Sequence, residues 1–307
     1  MEQQHETYYV PEQSKFPLFA SLGLFLTVFG LGSWLNEMTH DKDGSGMTIF
    51  FLGLAFFCLI LFKWFGAAID ENIRGLNSAQ LKRSYVWGMG WFIFSEVMFF
   101  AAFFGALFYI RHFALPWLSE GPTNELLWKG FEGSWPVMTT PDMAVNGANA
   151  NVLGPEQNMS NPGIGNWGSW LPFWNTVILM TSSVTVHMAH VALKNDKKSA
   201  FNLWLGLTVA LGMIFLVVQA YEYIHAYHEL GLTLESGIYG TTFFLLTGFH
   251  GLHVTMGTFM LLVQWLRSVL KGHFKHDDCF GFEASSWYWH FVDVVWVGLF
   301  IFVYILG

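Results

Sequence analysis

Tyr239-Gly240-Thr241-Thr242-Phe243-Phe244-Leu245-Leu246-Thr247-Gly248-Phe249-His250-Gly251-Leu252-His253-Val254 opens a hydrophobic run that ends near Leu270. It is too long for a buried strand and has the length of a bilayer-spanning helix. Two imidazoles stand inside it, three residues apart. A second apolar run near the C-terminus reads Trp287-Tyr288-Trp289-His290-Phe291-Val292-Asp293-Val294-Val295-Trp296 and again carries ionisable groups. Such side chains are costly at membrane depth, so they face protein, water or a function.

The rest of the chain has the same character. Of its 307 residues 53% are hydrophobic, 19% aromatic and only 12% charged, where a soluble domain carries about 25% charged residues. The 32 Phe and 15 Trp reinforce a membrane assignment. A net charge of −8 argues against a nucleic-acid partner, which selects a basic surface. Met1 to Val10 is polar, with no basic segment leading into an apolar one, so no cleaved signal peptide is expected. Cys58 and Cys279 fit no metal spacing, and neither a disulfide nor a cysteine-ligated cluster is expected.

Seven runs reach the roughly 20 apolar residues a spanning helix needs. They cover residues 16–35, 48–68, 85–113, 170–193, 201–225, 239–270 and 284–306 of a single all-α membrane domain. Eleven of the 14 Lys and Arg residues then fall on one side of the membrane. They are Lys15, Lys63, Arg74, Lys82, Arg83, Lys194, Lys197, Lys198, Arg267, Lys271 and Lys275; the other side holds Lys42, Arg111 and Lys129. The positive-inside rule places the N-terminus in the cytoplasm and the C-terminus outside. Residues 114–169, rich in Gly, Pro and Asn, read as a long irregular loop on the outer side.

Histidines recur at His187/His190, His225/His228 and His250/His253, a spacing that puts both members of each pair on one helix face. Imidazoles so placed either ligate haem or copper or act as hydrogen-bonded packing groups between helices. Glu96 stands in Trp91-Phe92-Ile93-Phe94-Ser95-Glu96-Val97-Met98-Phe99-Phe100 with no basic residue within ten positions. Ser95 or a facing polar group is expected to hydrogen-bond it. It is either a proton-handling carboxyl or a neutral acid that locks two helices together. Glu283, Trp287, His290 and Asp293 share one face of the last helix. A face of that kind fixes a helix interface or performs chemistry. Tryptophans at run ends, among them Trp64, Trp87, Trp170, Trp174 and Trp287, fit an interfacial belt. Arg267, Lys271, His273 and Lys275 could hold an anionic headgroup or act as a plain cytoplasmic anchor. P-loop, nucleophile-elbow, CxxCH and dinucleotide signatures are all absent.

Taken together, these segments resemble subunit III of haem–copper cytochrome c oxidase, of the bacterial aa3 type. The resemblance is carried by Ser95-Glu96-Val97-Met98-Phe99-Phe100, by residues 239–244 and 247–254, and by Phe280-Gly281-Phe282-Glu283-Ala284 through Trp296. Weaker matches are Asn175-Thr176-Val177 with Ala189-His190, and Gln219-Ala220-x-Glu222-Tyr223. It covers nearly the whole chain outside the long loop.

The resemblance implies a subunit that binds no haem or copper itself and has no catalytic residue and no metal ligand. Haem a and copper are expected in partner subunits. The subunit would stabilise catalytic subunit I and support proton uptake on the cytoplasmic side. Its partners would be subunits I and II, phospholipids and, as electron donor to the complex, cytochrome c. A two-helix and a five-helix bundle separated by a lipid-filled V-shaped cleft is expected. Glu96 matches the family's carbodiimide-reactive intramembrane glutamate. His250, His253, Glu283, His290 and Asp293 would form a structural polar face. Lipid contacts are expected at Trp64, Glu71, Arg267, Lys271 and His273. Many members carry Trp-Trp-Arg-Asp-x-x-Arg-Glu after the second helix. Here Trp64-Phe65-Gly66-Ala67-Ala68-Ile69-Asp70-Glu71 lacks both arginines, leaving Lys63 or Arg74 as substitutes. The expected location is the bacterial inner membrane. Competing readings are a quinol-oxidase subunit, a stand-alone haem-binding redox protein using the histidine pairs, and a proton-coupled transporter using Glu96. The last would show internal repeats, and the sequence has none of the solenoid type.

Overall fold

A computed structural model of the chain describes Val10, residues 13–274 and residues 279–307. Lys275, counted above among the cytoplasmic cations, lies outside the described residues. Among the described residues there is no β-strand, and seven helices are long and apolar enough to cross a membrane. They are α1 (Phe16–Thr39), α2 (Gly46–Ile73), α3 (Ala79–Tyr109), α4 (Leu171–Lys194), α5 (Lys198–Glu229), α6 (Gly237–Lys271) and α7 (Phe280–Leu299). Pro17 and Pro172 sit in the first turns of α1 and α4, where a missing N–H costs nothing. A π turn, Ile110–Ala114, and a further turn, Leu115–Ser119, carry α3 onward to give 41 helical residues. That is about 60 Å of helix, twice the ~30 Å hydrocarbon core. A second π turn, Phe300–Ile305, continues α7.

The chain forms two compact units, Met1–Gly88 and Met89–Gly307. The first is a hairpin of α1 and α2. Its buried helical residues are all small: Ala20, Gly23 and Gly30 on α1, Gly46 and Gly53 on α2. On each helix the glycines are seven residues apart, two turns along one face. A Cβ at Gly23 would lie 2.9 Å from Phe57 Cα, and one at Gly53 2.7 Å from Thr27 N. At Gly30 and Gly46 it would enter the backbones of Phe50 and Trp34. Close approach of the two backbones is therefore written into these glycines, as in membrane helix pairs generally. Both Glu37 carboxylate oxygens accept the Gly46 N–H at 3.1 Å and so cap the start of α2.

In the second unit α4, α5, α6 and α7 pack in chain order, and α7 closes against α4 to complete a four-helix bundle. Each neighbouring pair is joined by a hydrogen bond. Thr185 and Thr208 link α4 to α5 at 2.8 Å, and Tyr223 and Thr247 link α5 to α6 at 2.7 Å. His250 Nε2 donates to the Val292 carbonyl at 3.2 Å between α6 and α7, and Trp289 Nε1 donates to Ser182 Oγ at 3.0 Å between α7 and α4. Aromatic contacts hold α3 to this bundle, among them Phe99 with Phe249 at 5.0 Å and Phe92 stacked on Tyr288 at 6.0 Å.

The stretch read as an irregular loop from residue 114 is helical as far as Ser119 and carries further short helices at Gly121–Leu127 and Pro141–Asn146. It docks on the bundle through the Met159 N–H, which donates to Tyr239 Oη at 3.0 Å. Its own Phe131, Val137 and Met159 are buried. Asp142 accepts from Asn146 Nδ2 and from the Val152 and Asn151 N–H groups, and these bonds hold its carboxyl below the usual carboxylate range.

Candidate functional site

Glu96 of α3 and His253 of α6 meet inside the second unit, Oε2 to Nε2 at 2.9 Å. Ser95 is not the partner; its hydroxyl donates to the Phe92 carbonyl of its own helix at 2.7 Å. Phe100, one turn beyond Glu96, meets the His253 ring edge-on at 4.9 Å. Tyr288 lies nearly parallel to that ring at 6.4 Å and Phe291 lies at 6.3 Å. The Glu96 side chain is 22% exposed and that of His253 11%, so the pair is shielded but not sealed.

The other imidazole nitrogen fixes the proton count. His253 Nδ1 lies 2.6 Å from the Phe249 carbonyl oxygen, which only accepts, so Nδ1 carries hydrogen. One proton must then lie between Nε2 and Oε2. It belongs either to a neutral acid donating to a neutral ring or to an imidazolium donating to a carboxylate. A carboxylate facing a bare Nε2 would set two acceptors against each other. The pair is thus a single-proton holder whose two forms differ by a short transfer along one hydrogen bond.

The remaining polar residues fall into separate groups. His250 is fully buried and spends Nε2 on the backbone. His290 Nδ1 lies 3.0 Å from Ser183 Oγ of α4 and 3.5 Å from Asp293 Oδ2, so His290 both faces Asp293 and reaches the neighbouring helix. Glu283, in the first turn of α7, meets Lys194, in the last turn of α4, at 2.8 Å, with His190 at 3.3 Å. Each charge is of the sign its helix terminus favours. Cys279 donates to Glu283 at 3.5 Å; burial, then the Glu283 charge, pushes its thiol up to about 11. His187, His225 and His228 are exposed. Among the described residues no three His, Cys, Asp or Glu side chains converge with metal-holding geometry. Both nitrogens of His253 are engaged, Nδ1 by the Phe249 carbonyl and Nε2 by Glu96.

At the expected lipid contacts, Trp64 stacks on Phe16 at 6.2 Å and Glu71 is half-buried. Arg74, one substitute for the missing arginines, pairs with Asp70 at 2.6 Å, while Lys63 is exposed. Arg267 donates to Gln264 at 2.9 Å and its guanidinium covers the Phe274 ring at 4.9 Å. Lys271 is exposed beside it. Burial, followed by the Arg267 and Lys271 charges, holds His273 below its ordinary value.

One buried carboxyl, quoted above only within a matching segment, was not singled out as a site residue. Glu222 of α5 is fully buried and accepts from Tyr304 Oη at 2.6 Å. A carboxyl inside an apolar run was the available signal, the same one that exposed Glu96. Trp170, read as part of an interfacial belt, packs on Phe300 at 5.5 Å and Tyr304 at 6.1 Å.

A polytopic helical membrane protein whose ionisable groups pair with one another inside the helices is the class this architecture defines. The family model for cytochrome c oxidase subunit III matches residues 5–121 and 165–307. Proteins named cytochrome c oxidase subunit 3 align along the chain. Those of Anopheles gambiae and Drosophila melanogaster are each 37% identical over 301 residues, covering 98% of this chain and 97% of the relative. That of Hippopotamus amphibius is 34% identical over 308 residues, covering all of both. The chain belongs to the cytochrome c oxidase subunit III family. The segment its family model leaves out, 122–164, falls within the docked loop.

Proposed function

We propose that this chain is the non-redox subunit III of a proton-translocating cytochrome c oxidase in a bacterial inner membrane. It stabilises subunit I and supports proton uptake while oxygen is reduced to water. Haem a and copper reside in partner subunits, with subunit II and cytochrome c on the electron-entry side. This chain's residues do no redox chemistry. What Glu96 and His253 do is hold one proton between Oε2 and Nε2, out of bulk water, where it can pass between the two atoms without rearranging a helix.

The hydrogen bond between Glu96 Oε2 and His253 Nε2, with Nδ1 held by the Phe249 carbonyl, is the observation carrying the reading. It consumes both nitrogens of the best-placed histidine, which disfavours a haem-binding role, and it leaves an ionisable device inside the bundle. The asymmetry of the Lys and Arg residues supports a cytoplasmic N-terminus and an outer C-terminus. Trp64, Glu71, Arg267, Lys271 and His273 are proposed as phospholipid contacts. Arg267 and Lys271 are the stronger of these, because Arg74 is already engaged by Asp70.

The test is to purify the complex through a tag on this chain in mild detergent, then strip this chain away alone. Haem a and copper should appear in the intact complex and stay with the other chains. A haem absorption band following the isolated chain would overturn the proposal.

A further inference from the structure

Arg111 lies in the π turn Ile110–Ala114 that extends α3. Its guanidinium covers the Trp135 ring, 5.3 Å from the centroid, and among the described residues no carboxylate is paired with it. A cation at the edge of a bilayer with no counter-charge from its own protein is costly unless it meets water or an anion.

The surroundings favour an anion with an apolar tail. A groove of about 520 Å³ runs beside Arg111 between α3 and the end of α7. Phe104 and Phe108 form one wall, Gly298 and Phe302 the other, with Arg111 and His112 together at one end. From Phe104 to His112 is about 12 Å of helix. The volume falls in the ~300–1,000 Å³ range of sites that enclose a small ligand. Both walls carry a π turn at this level, Ile110–Ala114 and Phe300–Ile305. Such wide turns are rare and recur at functional positions.

We propose that this groove is a binding site for an anionic phospholipid, distinct from the contacts named above. The headgroup phosphate sits on Arg111, whose planar donor fork matches phosphate oxygens. One acyl chain lies along Phe104, Phe108 and Phe302. Arg111 on the outer side places the lipid in the outer leaflet.

The experiment uses the complex that co-purifies with the tagged chain, partly delipidated and then titrated with phosphatidylglycerol or phosphatidylcholine. Native mass spectrometry reads the bound lipid. Arg111→Gln should weaken retention of one phosphatidylglycerol about fivefold, the share of one basic residue at a lipid surface. Arg111→Lys should retain most of it. Gly298→Leu fills the groove without touching the charge and should lose the same lipid. Phosphatidylcholine should not discriminate the variants. Equal phosphatidylglycerol retention by wild type and Arg111→Gln overturns the proposal. Loss of a polypeptide instead of a lipid in Arg111→Gln also overturns it, by identifying the groove as a protein contact. Haem content is read separately, so failure of the lipid site and failure of the oxidase assignment give different results.

Discussion

The α1–α2 hairpin and the α4–α7 bundle solve one problem in opposite ways. In the most apolar stretch of α2 only 6% of residues are buried within the protein; in that of α7 61% are. The hairpin has almost no interior and brings its backbones together through glycines. The bundle has a full interior and locks it with polar pairs. Lipid tails are as apolar as leucine, so burying apolar surface drives neither arrangement strongly, and close contact or hydrogen bonding must do so. A hairpin held by backbone contact has no side chain that can give way. A bundle held by several separate bonds loses them one at a time.

The largest effect should follow from breaking the hairpin at its tightest point. Gly30→Leu would drive a side chain into the Phe50 backbone. The cost should exceed the ~1–3 kcal/mol of ordinary overpacking, because backbone cannot step aside. Distances between spin labels on α1 and α2 should lengthen while the spectroscopic helix content stays. Unchanged distances would show that the glycines are incidental.

A smaller loss is expected on removing one bundle bond. Tyr304→Phe takes the hydroxyl from the fully buried Glu222 and should cost about 1–3 kcal/mol. The thermal midpoint in detergent should fall while the chain remains folded. A midpoint equal to wild type would mean that another group satisfies Glu222.

The mildest effect is chemical. Burial and the Glu283 charge raise the Cys279 thiol to about 11 from an ordinary 9.0. A raised value favours the protonated form in the fold, so the associated stability is complete below the unfolded value and is lost as pH rises through the folded one. Alkylation of Cys279 by iodoacetamide should therefore be negligible at pH 8 in the folded protein and rapid after denaturation. Fast labelling of the folded protein would show that the α4–α7 corner is open.

The contrast also explains what could be read from sequence. Seven apolar runs announce seven helices, because no other open-chain backbone satisfies its own hydrogen bonds in lipid. The helix ends are less visible. Hydropathy fades at the membrane surface, whereas backbone hydrogen bonding continues, so α3 starts at Ala79 rather than 85 and α5 runs to Glu229 rather than 225. Glu96 and His253 are each conspicuous as polar residues in apolar runs. Their pairing joins positions 157 residues apart and depends on how α3 lies against α6, which no local pattern encodes. Glu222 carried the same signal as Glu96, and its partner Tyr304 is hidden in a π turn at the end of α7. The hairpin glycines at 23, 30, 46 and 53 were not read from the sequence, because their meaning appears only when the opposing backbone is seen.

The most direct test of the central claim is the proton pair itself. Glu96→Gln keeps the shape of the side chain and removes its acid. The account predicts a complex with this chain still bound and its haem content unchanged. Proton uptake during turnover should slow by up to about tenfold, less than the ~10²–10⁴ expected for a primary acid–base group. Unchanged uptake in an intact complex would contradict a proton-handling role, and loss of this chain from the complex would show that the carboxyl is a structural lock instead.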